Sequence, residues 1–106
     1  MTYSPTEADI RHQITDYLNL KGWLVIPNIA GKLYVGDAGK THPGIADLTA
    51  LKDGRVVWIE VKRPKSKGKA AGTQSETQEQ FQAAIEAHGG EYILAYGVGE
   101  LISRGM

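Results

Sequence analysis

The chain contains no cysteine among its 106 residues. That absence excludes disulfides, thiolate zinc sites and a cysteine nucleophile together. It is compatible with a reducing cytoplasmic compartment, which is the expected location. No apolar run is long enough to span a bilayer, so no membrane association is expected. The N-terminal stretch MTYSPTEADIRHQ lacks the charged start and apolar core of a signal peptide. An excess of charge of either sign is also missing, because 12 Lys+Arg balance 12 Asp+Glu. A basic surface all round is therefore excluded, and any attraction for phosphate has to be local. No Walker-type phosphate loop and no serine elbow motif occurs.

What is present fits one small domain covering residues 1–106, with a hydrophobic content of 42% that argues against disorder. The basic residues are concentrated: Lys62, Arg63, Lys65, Lys67 and Lys69 lie in KRPKSKGK with no acid among them.

Ser4-Pro5-Thr6-Glu7 predicts a helix start, with Ser4 as cap, proline at the first helical position and Glu7 completing a capping box. Ile10, Ile14, Tyr17 and Leu18 follow at helical spacing, predicting a helix over 4–20. Trp23 to Ile26 reads as a short strand stopped by Pro27-Asn28. Residues 28–44 read as an irregular loop, within which Leu33-Tyr34-Val35 are capable of brief pairing. Two apolar runs, Ala46–Leu51 and Val56–Val61, flank Lys52-Asp53-Gly54-Arg55, a strong hairpin signal. The basic stretch 62–73 reads as a mobile loop. Ser75-Glu76-Thr77-Gln78 is a second capping-box pattern, opening a helix with Phe81, Ala84, Ile85 and His88 along one stripe and Gly89-Gly90 at its end. Tyr92–Tyr96 is a nearly continuous apolar strand suited to a central position between helices. A short helix near Gly99–Arg104 closes the order α-β-β-β-α-β(-α), an α/β fold whose last strand is expected to lie parallel to an earlier one in a mixed sheet.

Within this frame the charged residues of the hairpin stand out. Glu60 and Lys62 are two apart on a strand and so share a face, while Val57, Ile59 and Val61 take the other. Asp47 precedes the Asp53-Gly54 turn by about as many residues as Glu60 follows it. An antiparallel hairpin thus brings Asp47 beside Glu60. Two adjacent carboxylates repel unless a cation lies between them, and oxygen-only ligands suit Mg²⁺ or Mn²⁺. The alternative is a surface ion pair between Glu60 and Lys62, with Asp47 merely starting a turn.

Gly44-Ile45-Ala46-Asp47, the hairpin, Glu60-Val61-Lys62 and then Ser75-Glu76-Thr77-Gln78-Glu79-Gln80-Phe81 together resemble the PD-(D/E)XK nucleases, and within them the VRR-NUC type found as small stand-alone phage and bacterial proteins. Ala46 stands where the superfamily pattern has proline, which leaves Asp47 intact. The resemblance implies a restriction-endonuclease-like core and metal-dependent hydrolysis of phosphodiester bonds in DNA. It implies Asp47 and Glu60 as metal-binding acids, the Val61 carbonyl as a further ligand, Lys62 as the catalytic lysine, and Gln78 and Glu7 as helix residues of the site. It also implies a homodimer that resolves four-way (Holliday) junctions in DNA repair. Cleavage of duplex or flap DNA, and a catalytically inactive DNA-binding module, are the alternatives. Beside such a site Arg63, Lys65, Lys67 and Lys69 are expected to bind DNA phosphates.

Overall fold

A computed structural model describes residues 4–28 and 42–106. Its elements are α1 (Glu7–Leu20), β1 (Leu24–Pro27), β2 (Leu48–Lys52), β3 (Arg55–Val61), α2 (Glu76–Ala87), β4 (Glu91–Ala95) and α3 (Gly99–Ser103). The possible pairing of Leu33-Tyr34-Val35 and the loop residues Lys32 and Lys40 lie outside the described residues.

α1 starts later than the Ser4 pattern predicts. Its cap is Thr6, whose hydroxyl accepts the Asp9 N–H while the Asp9 carboxylate accepts the Thr6 N–H. Thr6 and Asp9 form the same reciprocal box two residues downstream, so Glu7 is the first helical residue and not the box partner. Gly22, in the left-handed region at φ 86°, then turns the chain into β1.

β2 and β3 form the expected hairpin. Asp53 (φ 49°) and Gly54 (φ 80°) both take positive φ, as a two-residue type I′ turn requires. The sheet order is β1-β2-β3-β4, with β1–β2 and β2–β3 antiparallel and β3–β4 parallel. The fold is therefore α/β with a mixed sheet. β4 does not occupy the central position expected for it; it lies at an edge of the sheet among the described residues. Its apolar character has another cause. Both of its faces are covered, by α3 and α2, so successive side chains are buried whichever way they point.

The two faces of the sheet carry separate clusters. Ile10, Ile14 and Leu18 of α1 and Leu101 of α3 pack on Leu48, Ala50, Val57, Ile59, Val61, Ile93 and Ala95. On the opposite face Phe81 of α2 packs on Ala46 and Tyr92, with Trp58, Ile85 and Leu94 around them. The stripe expected on α2 is narrower than its spacing suggests. Phe81 is buried and Ile85 half-buried, whereas Ala84 and His88 are exposed, because α2 lies over β4 and leaves the β1–β2 end of this face open. Leu24, Ile26, Leu51 and Val56 stand exposed there.

Arg55 ties the far end together. Its guanidinium donates two hydrogen bonds to Glu91 at 2.9 and 2.7 Å and one to the Arg104 carbonyl at 2.8 Å, and it stacks over Trp23. No helix is long and apolar enough to cross a membrane among the described residues.

Candidate active site

The hairpin register decides the geometry. Leu48 pairs with Ile59, so the next step outward sets Asp47 opposite Glu60 at the open end of the ladder. Asp47 is further fixed by its side chain: the Val61 N–H donates to its Oδ2 at 2.8 Å. Lys62 N–H instead bonds the Ala95 carbonyl on the β4 side, so Val61, one residue earlier, turns its amide toward Asp47. The Val61 carbonyl faces the same side of the strand as its own amide.

Glu60 is almost fully buried, at 1% exposure, and Lys62 is also buried, at 8%. Their ion pair, Lys62 Nζ to Glu60 Oε2 at 3.3 Å, is an internal one, which rules out the surface-pair alternative. Glu60 Oε2 also accepts a 2.8 Å hydrogen bond from Gln78 Nε2. Glu60 Oε1 is buried with no hydrogen-bond partner among the described residues. Burial first, and the Asp47 charge second, push the Glu60 carboxyl up to about 7, against the opposing pull of Lys62.

Gln78 performs both roles that its position allows. Its Oε1 accepts the Ser75 N–H at 2.9 Å, and the Ser75 hydroxyl accepts the Gln78 N–H, which closes the capping box. Its Nε2 is thereby turned toward Glu60. A glutamate caps equally well but has no donor to offer a carboxylate.

Gly44 explains the glycine of the Gly-x-x-Asp segment. It has φ 72°, and a Cβ there would fall 2.1 Å from the Thr77 carbonyl oxygen and 2.7 Å from the Gln78 nitrogen. The backbone leading to Asp47 thus rests directly on the first turn of α2, which holds Gln78 over the hairpin end.

Other expected residues are placed differently. Glu7 is exposed on the first turn of α1 and makes no hydrogen bond or ion pair with the Asp47–Glu60–Lys62–Gln78 group. The Arg63 guanidinium donates to the Ala70 carbonyl at 2.6 Å, so it braces the chain. Lys65, Lys67 and Lys69 are exposed. Asn28, just past β1, is structural: its amide donates to the Ala46 carbonyl and to Thr49 Oγ1, joining β1 to β2. His42 sets its ring edge-on to Phe81. Trp58 also packs on Phe81, 5.5 Å between centroids, and walls the cluster behind Glu60.

Sequence reasoning did not find the support behind Tyr92. Tyr92 pairs with Trp58 across β3 and β4, and Gln74 donates to its hydroxyl and to Gln82 Oε1. Burial and the nearby Glu60 and Asp47 charges push the Tyr92 hydroxyl up to about 12. Nothing local in the sequence signals this contact, because it joins residues 18 apart through the crossover.

Among the described residues no three His, Cys, Asp or Glu side chains converge as a metal-ligating group. The oxygens available at the hairpin end are the Asp47 and Glu60 carboxylates and the Val61 carbonyl, which lies on the Asp47 side of its strand. An orphaned buried carboxylate oxygen beside a second carboxylate is a donor set that fits a hard divalent cation completed by water or substrate oxygens. No family model, no curated protein and no solved structure matches the chain.

Proposed function

We propose that the protein is a Mg²⁺- or Mn²⁺-dependent DNA endonuclease of the VRR-NUC type, with Asp47, Glu60 and Lys62 at its centre. The observation that carries this reading is the placement of Asp47 beside Glu60 just beyond the last rung of the hairpin, with Glu60 Oε1 buried and unpartnered among the described residues and Lys62 drawn inside beside it. Burying Glu60 and Lys62 beside the half-buried Asp47 costs stability that a purely structural role does not require. The order α-β-β-β-α-β with a parallel last strand supports a restriction-endonuclease-like core.

Asp47, Glu60 and the Val61 carbonyl would hold the metal, which when bound activates water and offsets charge on a phosphoryl oxygen. The chain's own residues prepare the site. Val61 N–H fixes one Asp47 oxygen and leaves the other for a ligand. Gln78 and Lys62 both engage Glu60 Oε2, which leaves Oε1 without a partner among the described residues. The Lys62 ammonium stands where it can stabilise a pentacovalent oxyanion or hold the attacking water. Glu7 is exposed on α1 and bonds none of these side chains among the described residues, so its part in the site would come through substrate.

The proposed substrate is branched DNA, a four-way junction first, cut by a homodimer that presents two equivalent sites. The test is incubation of purified protein with four-way, flap, fork, nicked and plain duplex DNA in Mg²⁺ or Mn²⁺. Metal-dependent cleavage, strongest on the four-way substrate, is expected. Asp47→Asn keeps an oxygen for Val61 N–H but loses the charge, and is expected to abolish cleavage without lowering the melting temperature. Preference for plain duplex or flap DNA would move the assignment to restriction or repair. No cleavage of any substrate, together with tight metal-free binding, would make it a DNA-binding module.

A further inference from the structure

Residues 62–73 are not the open loop that their composition suggests. Gly72 N–H bonds the Arg63 carbonyl at 2.8 Å. Ser66 and Lys69 exchange two hydrogen bonds, at 3.1 and 2.9 Å. Between these rungs the Arg63 guanidinium crosses to the Ala70 carbonyl at 2.6 Å. Lys67-Gly68 make the tip, with Gly68 at φ 78°. The segment is a short antiparallel ribbon, braced from within by Arg63.

Its root is part of the site. Lys62 begins the outgoing strand, and Gly72 on the returning strand comes so close that a Cβ there would lie 3.4 Å from the Lys62 Cβ. Its charge is of one sign, since no acid occurs between Val61 and Glu76. Lys65, Lys67 and Lys69 are exposed, and none forms an ion pair with a described residue. Ser66 and Lys69 are cross-strand partners and share a face, so Lys65, adjacent to Ser66, lies on the other, with Lys67 at the tip. Positive charge thus lies on both faces and at the end.

We propose that this ribbon enters the major groove of the duplex flanking the cut and contacts phosphates on both of its walls. This rests on the DNA-endonuclease reading and extends it. Shape favours one groove: the major groove of undeformed B-DNA, about 12 Å wide, admits a two-stranded ribbon, whereas the minor groove, about 6 Å wide, takes one only where the duplex is bent and the groove widened. Reach agrees, because four residues from Pro64 to the tip at roughly 3.3 Å each span about 13 Å from the site. Lysine is a point charge without the planar fork that reads base edges, so the contact positions the duplex and carries no sequence preference. Arg63, one of whose guanidinium N–H groups is held by the Ala70 carbonyl, acts as a positioning residue for the ribbon.

The test measures binding of fluorescent duplex and four-way DNA by anisotropy, in EDTA and across a KCl series, so that cleavage does not intervene. The Lys65→Ala/Lys67→Ala/Lys69→Ala protein is expected to bind at least tenfold more weakly at 0.1 M salt. Its log–log salt slope should be shallower by about 2 to 3, as expected for three lost phosphate contacts. Arg63→Ala is expected to weaken binding severalfold while the slope stays close to the wild type's. Ethylation of phosphates on the two strands bordering one major groove should interfere with wild-type binding and not with the triple variant. An unchanged slope in the triple variant, with an unchanged circular-dichroism spectrum, would overturn the proposal; so would interference confined to phosphates at the cut or across the minor groove. Metal-dependent cleavage assayed in parallel separates the two readings. Cleavage with an unchanged slope defeats the ribbon alone, and a lost slope without cleavage defeats the nuclease reading alone.

Discussion

Glu60 is the residue on which the site's energetics turn. Its carboxyl is raised to about 7 by burial and by the charge of Asp47. In the unfolded chain it titrates near the ordinary value of 4.5. Between those two values the folded state holds a proton that the unfolded state has lost. Folding stability from this group is therefore fully present below pH 4.5 and falls as pH rises through 7. The metal-free protein should lose on the order of 1–3 kcal/mol across that window, read by chemical denaturation at stepped pH. Glu60→Gln should flatten the slope, and an unchanged slope in that variant would remove Glu60 as its source. Gln78 is the second lever. Gln78→Ala deletes the cap acceptor and the donor to Glu60 and should cost about 1–3 kcal/mol. Gln78→Glu keeps the cap but sets a third carboxylate beside Glu60; it should be no less destabilising at pH 8, and recover at pH 5. Denaturant midpoints of the two variants at both pH values check this.

At the scale of elements, the contact that assembles the site is Gly44 on the first turn of α2. Neither Gln78 nor Asp47 has a covalent reason to meet the other; the close backbone approach brings them together. Gly44→Ala combines a positive φ with a Cβ lying on a carbonyl oxygen, so the two segments have to separate. We expect a loss of more than about 2 kcal/mol, seen as a lower melting temperature, together with loss of metal-dependent cleavage. Gly54→Ala also strains a positive φ but meets no atom within 4 Å, so it should cost only about 1 kcal/mol and leave cleavage in place. The Arg55–Glu91 pair works at the opposite end. The Arg55 hydrogen bonds hold the Glu91 carboxyl below its usual range. Its contribution is present above the unfolded carboxylate range and is lost as pH falls through the lowered value, the reverse of Glu60.

For the whole molecule, the sum of charge is zero and its placement is not. On the proposed nuclease reading, a ribbon carrying Lys65, Lys67 and Lys69 beside a pair of carboxylates separates DNA attraction from metal attraction. If Asp47 and Glu60 hold a divalent ion, millimolar Mn²⁺ should raise the melting temperature of wild type but not of Asp47→Asn, since a ligand bound only to the native state stabilises by mass action. Equal shifts in both proteins would place the ion elsewhere. Sedimentation velocity should give twice the chain mass of 11.5 kDa if two sites act on one junction. A monomer that cuts four-way DNA at one strand only would end the dimer reading.

By itself the sequence determined the order of elements, the Asp53-Gly54 hairpin, the box that opens α2, and the placement of Asp47 beside Glu60. Each of these is local, fixed by turn chemistry, periodicity or the counting of residues away from a two-residue turn. Where the sequence misled, the cause was an equally local pattern with two solutions. Ser4 and Thr6 are both hydroxyl caps with an acid three residues on, and backbone geometry chose Thr6 and Asp9. Apolar residues in succession mean a strand covered on both faces, and only packing revealed that β4 meets this condition at an edge. Tertiary structure alone decided that Lys62 is internal, that Glu60 Oε1 has no partner among the described residues, that Arg63 is a brace, and that Gly44 seats α2. These depend on distances between segments remote in the chain, which hairpin counting cannot reach.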